Sequence, residues 1–324
     1  MKQYTSLYFV GAGGIGMSAL VRYFLAKGYK VAGYDRTQSP LTTELKTEGL
    51  EIVYEESVES IPDYCRNPET TLVVYTPAIP ASHSGLVYFR EHGFRVVKRA
   101  ELLGLITQSS RGLCFAGTHG KTTTSSMAAH IFHESPIGCN AFLGGILRNY
   151  NSNLILSEQS PFTVIEADEY DRSFHWLHPY MAVVTATDPD HLDIYGTEEA
   201  YLESFAHFTS LIQPGGCLIM KKGIRLVPNV KEGVKIYTYS ARDGGDFHAG
   251  NIRIGDGTIV FDFVTPEGVF ADIELGVPVE INIENAVAAM AIAWLNGVSG
   301  DNLRRAMASF KGAKRRFEFW VKRP

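Results

Sequence analysis

The stretch Leu113-Cys114-Phe115-Ala116-Gly117-Thr118-His119-Gly120-Lys121-Thr122-Thr123-Thr124 decides the fold of the larger part of this chain. Its apolar start predicts a strand over Leu113–Ala116, and a helix is predicted from about Thr122 to His133. Small residues between the two elements expose backbone N–H groups to a phosphate, Lys121 can reach the β- and γ-phosphates, and the Thr122 hydroxyl can ligate Mg²⁺. Phe115 stands where a standard P-loop has its first glycine, so the loop is a shortened one. We therefore predict an ATP-binding loop here.

A second phosphate-binding pattern lies near the N-terminus. The apolar run Leu7–Val10 predicts a strand, and Gly11-Ala12-Gly13-Gly14-Ile15-Gly16 follows it. Gly11, Gly13 and Gly16 fit the dinucleotide fingerprint, in which glycines permit a tight turn, approach of a diphosphate and close helix packing. Asp35, at the end of the next predicted strand, could accept hydrogen bonds from a ribose. The pattern predicts binding of a nucleotide diphosphate and does not single out NAD.

Strands alternate with helices along most of the chain, which predicts an α/β protein with mostly parallel sheets. We expect a Rossmann-like domain over residues 1–108 and a central P-loop-type ATP-binding domain over residues 109–313. A small β-rich insertion is predicted from about Lys235 to Leu275, and an amphipathic helix over Asn285–Leu295.

Two acidic segments follow predicted strands of the central domain. Glu166 ends the strand Phe162–Glu166, and Asp188-Pro189-Asp190-His191 follows a strand predicted over Met181–Thr187. Carboxylates at the ends of parallel strands point into the ligand crevice of an open sheet. Glu166 is therefore a candidate metal ligand, whereas for His191 the residues alone leave a structural role and a ligand role equally open.

Composition excludes several classes of protein. A formal net charge of −5 gives no reason to expect nucleic acid or an anionic membrane as a partner, and no apolar run is long enough for a membrane helix. The four cysteines are far apart and form no metal-type pair, so we expect reduced thiols in a cytoplasmic protein. The oligomeric state stays open.

Five motifs in order resemble the Mur ligase family. They are the Gly11–Ser18 segment, Gly117–Thr124, Glu166-Ala167-Asp168-Glu169, the segment Asp190-His191-Leu192-Asp193 with Tyr195, and Asn282-Ile283-Glu284-Asn285-Ala286, and Arg315-Arg316-Phe317 follows them. The resemblance spans nearly the whole chain. His119 in the phosphate loop favours the alanine-adding branch of the family.

The resemblance implies a set of site residues. The UDP-sugar would bind Gly11, Gly13, Gly14, Gly16 and Asp35. ATP would bind Gly117, Thr118, His119, Gly120, Lys121, Thr122, Thr123, Asn282, Asn285 and Arg316. Lys121, Glu166 and His191 would be catalytic, with Mg²⁺ held by Thr122, Glu166 and His191. Residues 314–324 would form a hinge towards a C-terminal domain that the sequence lacks, so we expect the chain to be inactive alone.

The activity that the resemblance implies is ATP-dependent joining of L-alanine to the lactyl carboxylate of UDP-N-acetylmuramate, through an acyl phosphate, in peptidoglycan precursor synthesis. A ligase that attaches a recycled peptide to the same sugar nucleotide is the main alternative. A nicotinamide-dependent oxidoreductase would explain the first glycine motif alone, and a non-catalytic nucleotide sensor is the remaining hypothesis.

Overall fold

The computed structural model describes residues 3–242 and 244–314, and these divide into two compact units. The division falls between Ile106 and Thr107, close to the boundary predicted at residue 108. The predicted hinge, with Arg315 and Arg316, lies outside the described residues.

The N-terminal unit is built on a five-stranded sheet in which every neighbouring pair is parallel. Its elements are β1 (Ser6–Val10), α1 (Ile15–Ala26), β2 (Lys30–Tyr34), α2 (Pro40–Thr47), β3 (Glu51–Val53), β4 (Thr71–Tyr75), α3 (Ser84–Glu91), β5 (Arg95–Lys98) and α4 (Arg99–Gln108). The strand order β3-β2-β1-β4-β5 confirms the predicted Rossmann-like arrangement. Because the order reverses beside β1, the Gly-rich turn after β1 lies at the point where such sheets bind ligands.

The C-terminal unit contains a mixed sheet of ten strands among its described residues. Its first elements are β6 (Arg111–Ala116), α5 (Lys121–His133), β7 (Asn140–Leu147), β8 (Ser152–Ile155), β9 (Phe162–Glu166), β10 (Pro179–Val184), α6 (Leu192–Tyr195), α7 (Glu198–Ser210) and β11 (Cys217–Lys221). They are followed by β12 (Lys235–Ser240), β13 (Phe247–Gly255), β14 (Thr258–Thr265), β15 (Gly268–Glu274), α8 (Ile281–Leu295) and α9 (Gly300–Ser309).

The sheet order is β15-β14-β13-β12-β11-β10-β6-β9-β7-β8, which places β6 between β9 and β10. All three strands run parallel, so their carboxyl ends, at Ala116, Glu166 and Val184, share one edge. The predicted β-rich segment is confirmed as strands and continues this sheet: β12 and β13 add in parallel, and β14 and β15 add antiparallel.

The core of this unit lies between the sheet and the helices α5, α8 and α9. Helix α8 reads Ile-Asn-Ile-Glu-Asn-Ala-Val-Ala-Ala-Met-Ala-Ile-Ala-Trp-Leu, and its small side chains let it pack closely on α5. Ala286 to Ala293 are all fully buried, so this part of the helix is enclosed on every side and the prediction of an amphipathic helix was wrong. Helix α8 begins at Ile281, four residues before the predicted start.

No helix among the described residues is long and apolar enough to span a membrane.

Candidate active site

The loop from Gly117 to Gly120 joins the end of β6 to the start of α5. Gly117 has a φ of +137°, and a Cβ there would lie 2.2 Å from the Thr185 Oγ1 atom, so only glycine fits. Gly120 has a φ of +86° and caps helix α5, which begins at Lys121. The structure thus places a tight loop against the end of β10, where the first N–H groups of α5 form the kind of helix N-terminus that binds anions.

Side chains from two neighbouring elements fix this loop. The Thr118 hydroxyl donates to the Asp188 carbonyl (2.7 Å) and lies 2.9 Å from the Tyr201 hydroxyl. The Thr185 hydroxyl lies within hydrogen-bond reach of the carbonyls of Ala116 and His119. Sequence reasoning missed Thr185 and Tyr201, since neither belongs to a phosphate-binding pattern.

Lys121 projects from the start of α5 onto a buried carboxylate. Its Nζ atom lies 2.8 Å from Glu169 Oε1 and 2.7 Å from Oε2, and it donates to the Gly117 carbonyl at 2.6 Å. The Glu169 side chain is 2% exposed. Burial raises the pKa of the Glu169 carboxyl above its ordinary value, although the Lys121 ammonium acts in the opposite direction. Glu169 belongs to the Glu166–Glu169 motif, but no pattern in the sequence pairs it with Lys121.

Thr122 and Glu166 meet at the same sheet edge. The Thr122 hydroxyl donates to Glu166 Oε1 at 2.8 Å, and the Gly144 amide donates to Oε2 at 3.1 Å. A Cβ at Gly144 would lie 2.2 Å from Oε2, so the backbone of β7 comes as close as glycine allows. Two hard oxygen donors beside a phosphate loop suit Mg²⁺, which takes one or two protein ligands and completes its shell with phosphate and water oxygens.

His191 lies at the start of the short helix α6, with a left-handed φ of +53°. Its ring packs edge-on against Tyr170, with centroids 5.2 Å apart, and its Nε2 atom lies 3.8 Å from Asp190 Oδ2. The structure therefore joins Thr122 directly to Glu166, whereas His191 contacts Tyr170 and Asp190 instead. No group of three or more His, Cys, Asp and Glu side chains suited to a metal occurs within the described ranges. The second metal ligand stays a prediction.

Asn282 and Asn285 are both buried in the first turn of α8. Asn285 Nδ2 donates to Asn282 Oδ1 (3.2 Å), and Asn285 Oδ1 accepts from the Thr124 hydroxyl (3.1 Å). The same oxygen lies 3.0 Å from a Cβ placed on Gly120. In this structure the pair contacts the first turn of α5 and lies close to the last glycine of the phosphate loop, and the predicted adenine contact stays a prediction.

The remaining predicted ATP-site residues are less informative. Thr123 is buried within the first turn of α5 and His119 is exposed on the loop. Arg316 lies outside the described residues.

The Gly-rich turn of the N-terminal unit is contacted by the Asp35 carboxylate. Gly11 has a φ of +91°, and α1 begins at Ile15. The Gly13 amide donates to Asp35 Oδ2 at 2.7 Å, and the Thr37 amide donates to Asp35 Oδ1 at 3.1 Å. Asp35 is thus brought to the glycine turn as the fingerprint predicts, but its carboxylate sits on the N–H group that a diphosphate is expected to use.

Family models match both units. The Mur ligase middle domain matches residues 115–293, and the domain described as Mur ligase family, catalytic domain, matches residues 6–111. This chain belongs to the Mur ligase family. The predicted family and the predicted α/β fold are confirmed.

Curated relatives of this Mur ligase are enzymes named UDP-N-acetylmuramate–L-alanine ligase. The protein from Parabacteroides distasonis is 66% identical over 322 residues, which cover 99% of this chain and 70% of the relative. The protein from Porphyromonas gingivalis is 56% identical over 313 residues, covering 96% and 69%.

Solved structures show the same fold at lower identity. The UDP-N-acetylmuramate-alanine ligase from Thermotoga maritima has a TM-score of 0.81 and 24% identity, covering 98% of this chain and 71% of that one. The UDP-N-acetylmuramate:L-alanyl-gamma-D-glutamyl-meso-diaminopimelate ligase from Neisseria meningitides has a TM-score of 0.82 and 22% identity, covering 96% and 100%.

Proposed function

We propose that this Mur ligase joins L-alanine to UDP-N-acetylmuramate with hydrolysis of ATP; the names of its curated relatives give the same two substrates for those proteins. The observation that carries the proposal is the phosphate loop, with Lys121 at the start of α5 and Thr122 paired to Glu166. A cavity of about 400 Å³ lies next to this loop. Ala186 and Asp188 line the cavity, and their carbonyls accept hydrogen bonds from Thr118 of the loop. Its size suits a small-molecule ligand.

The chemistry begins with activation of a poor acyl donor. An oxygen of the lactyl carboxylate attacks the γ-phosphorus of ATP, the bond between that phosphorus and the β–γ bridging oxygen breaks, and ADP leaves. The amine of L-alanine then attacks the carbonyl carbon of the acyl phosphate, a proton leaves the nitrogen, and inorganic phosphate departs. The products are an amide, ADP and phosphate.

The chain supplies binding and electrostatic stabilisation for these steps. The N–H groups at the start of α5 and the Lys121 ammonium would hold the phosphates and stabilise negative charge on the transferring group. Thr122 and Glu166 would hold Mg²⁺, which when bound neutralises charge on the β- and γ-phosphates. In the N-terminal unit the Gly11–Gly16 turn would receive the diphosphate of the sugar nucleotide.

Phosphate release by the whole gene product tests the proposal. We expect release that depends on UDP-N-acetylmuramate and is stimulated by L-alanine. Stimulation by L-alanyl-γ-D-glutamyl-meso-diaminopimelate in place of L-alanine would favour the peptide-recycling alternative. Lys121→Ala should abolish turnover while leaving UDP-sugar binding intact, and retained turnover would overturn the assignment of the loop.

The rival oxidoreductase hypothesis gives a different binding result. It predicts tight NADH binding, whereas the ligase assignment predicts UDP binding by the Gly-rich turn, so parallel titrations with NADH and UDP separate the two. The expected inactivity of the 324-residue chain alone stays a prediction. A cytoplasmic location is supported by the four cysteines, which are free and buried.

A further inference from the structure

Lys121 and Glu169 form a buried ion pair inside the phosphate-binding site. The side chains are 13% and 2% exposed, and both carboxylate oxygens lie within 2.8 Å of the ammonium nitrogen. An ammonium group has three protons to donate. One is donated to the Gly117 carbonyl and a second to Glu169 Oε1, so two of the three donors are already used within the protein.

Glu169 is held firmly in this position. Its carbonyl accepts a hydrogen bond from the Tyr195 hydroxyl at 2.5 Å, and the Arg172 guanidinium lies 4.8 Å from the centre of the Tyr195 ring. Tyr195 packs edge-on against Tyr201, whose hydroxyl lies 2.9 Å from the Thr118 hydroxyl of the phosphate loop. The backbone of Glu169 and the phosphate loop are therefore held by the same pair of tyrosines.

A carboxylate at this place competes with a phosphate. Both are anions that accept charge-assisted hydrogen bonds from an ammonium group. At the low effective dielectric of a buried site, like charges a few ångströms apart repel strongly. An incoming triphosphate would therefore meet a lysine already neutralised by Glu169, together with the repulsion of the Glu169 charge.

We propose that Glu169 is the internal counter-ion of Lys121. In the nucleotide-free protein it fixes the position of the Lys121 ammonium group beside the phosphate loop, and it weakens nucleotide binding because phosphate oxygens must replace it as the partner of Lys121. Glu169 is on this account a positioning residue for Lys121. The proposal rests on the proposed function, because it takes Lys121 to be a ligand of ATP.

The test is the affinity of the chain for Mg²⁺ and a fluorescent ATP labelled on its ribose, measured by titration. Glu169→Gln keeps the shape of the side chain and removes its charge, so we expect the dissociation constant to fall roughly threefold or more. Glu169→Asp withdraws the carboxylate by one methylene and should give an intermediate affinity. Glu203→Gln removes an exposed carboxylate from α7 and should leave the affinity unchanged.

A gain in affinity is diagnostic, because damage to the fold would weaken binding. Equal or weaker binding by Glu169→Gln would overturn the inference, and so would an equal gain in Glu203→Gln. If Glu169→Gln does not fold, Glu169→Asp decides alone, and an affinity no tighter than that of the unmutated chain counts against the inference. Absence of binding by every variant and by the unmutated chain would overturn the proposed function as well, whereas binding without a difference overturns only the role of Glu169.

Discussion

Buried charge dominates the site at the scale of single residues. Folding raises the pKa of Glu169 above the ordinary 4.5, burial being the largest cause. A carboxyl with a raised pKa binds its proton more tightly when folded, so its contribution to stability is present below pH 4.5 and is lost as the pH rises through its folded pKa. Lys121 limits that loss by pairing with the ionised form.

Lys121→Met should therefore destabilise the protein in a pH-dependent way. With the lysine removed, the folded pKa of Glu169 rises further, and the ionised carboxylate is left buried without a partner at a cost of roughly 3 kcal/mol. We expect the loss of unfolding free energy to be small at acid pH and to grow as the pH rises, measured by urea unfolding from pH 4.5 to 8. The double variant Lys121→Met/Glu169→Gln should lack this dependence, and a loss that is the same at every pH would contradict the account.

Two adjacent glycines of β7 make a matched pair for a second test. A Cβ at Gly144 would clash with Glu166 Oε2 at 2.2 Å, whereas a Cβ at Gly145 would lie 3.3 Å from the Ala313 Cβ and 3.6 Å from the Thr122 Cγ2 atom. Gly144→Ala should displace the carboxylate and weaken Mg²⁺-dependent nucleotide binding about tenfold, equivalent to about 1.4 kcal/mol. Gly145→Ala should change it much less. Equal effects in calorimetric titrations would show that Glu166 does not need its present position.

Residue patterns alone predict part of this site. Lys121, Thr122 and Glu166 were identified because a phosphate loop and a carboxylate at a strand end follow from local chemistry. Glu169, Gly144 and Thr185 were not, since their roles arise from contacts between strands and helices far apart in the sequence. A glycine pair inside a strand was the available signal for Gly144, because such glycines often mark close approach of another group.

At the scale of elements, helix α5 is tied to the end of α9 by a buried polar network. His130 Nδ1 lies 2.6 Å from the Tyr150 hydroxyl, and its Nε2 lies 2.9 Å from the Ser309 hydroxyl. The Tyr150 hydroxyl donates to Glu134 at 2.8 Å. Burial lowers the pKa of His130 to about 4, so the imidazole is neutral at pH 7.

This network should make stability depend on acid pH. A histidine whose pKa is lowered by folding contributes stability that is present above its ordinary pKa of 6.5 and is lost as the pH falls towards 4, an effect of about 3 kcal/mol. We expect the unfolding free energy of the unmutated chain to fall by about that amount relative to His130→Gln between pH 7.5 and pH 4. His92→Gln, at an exposed position of the N-terminal unit away from this network, should show no such difference. Parallel pH profiles for His130→Gln and the unmutated chain would contradict the role of His130.

The elements themselves followed closely from sequence. The predicted strand Phe162–Glu166 has the observed bounds, and helix α5 begins one residue before the predicted start. The strand predicted to reach Thr187 ends at Val184, because Thr185 and Ala186 turn to hold the phosphate loop. Strands β7 and β8 were not predicted, since glycine and asparagine interrupt their apolar pattern.

At the scale of the whole molecule, each of the two compact units has its own hydrophobic core and its own predicted nucleotide site. Buried cysteines can be used to follow the unfolding of each unit separately. Cys65 lies in the first unit, and Cys114, Cys139 and Cys217 lie in the second. Burial raises the pKa of each thiol, to about 12 for Cys65 and Cys217, so labelling requires unfolding. The boundary predicted from the polar stretch after Gln108 lies two residues from the division between Ile106 and Thr107.

Ligands should therefore protect different cysteines. UDP at a hundred times its dissociation constant stabilises the unit that binds it by about 2.7 kcal/mol. We expect UDP to slow labelling of Cys65 and ATP with Mg²⁺ to slow labelling of the other three, as measured by pulsed alkylation and mass spectrometry. Protection of all four thiols by either ligand alone would show that the two units unfold together.

Two carboxylates in this fold lie where phosphates are expected, Asp35 on the Gly13 amide and Glu169 on the Lys121 ammonium. If phosphates bind these donors as we propose, each binding event exchanges anions: the internal carboxylate gives up its donors to the phosphate. On the same proposal the exchange reverses when ADP leaves, and Lys121 returns to its pairing with Glu169. Such competition would lower the affinity for nucleotide and speed its release, which suits repeated turnover.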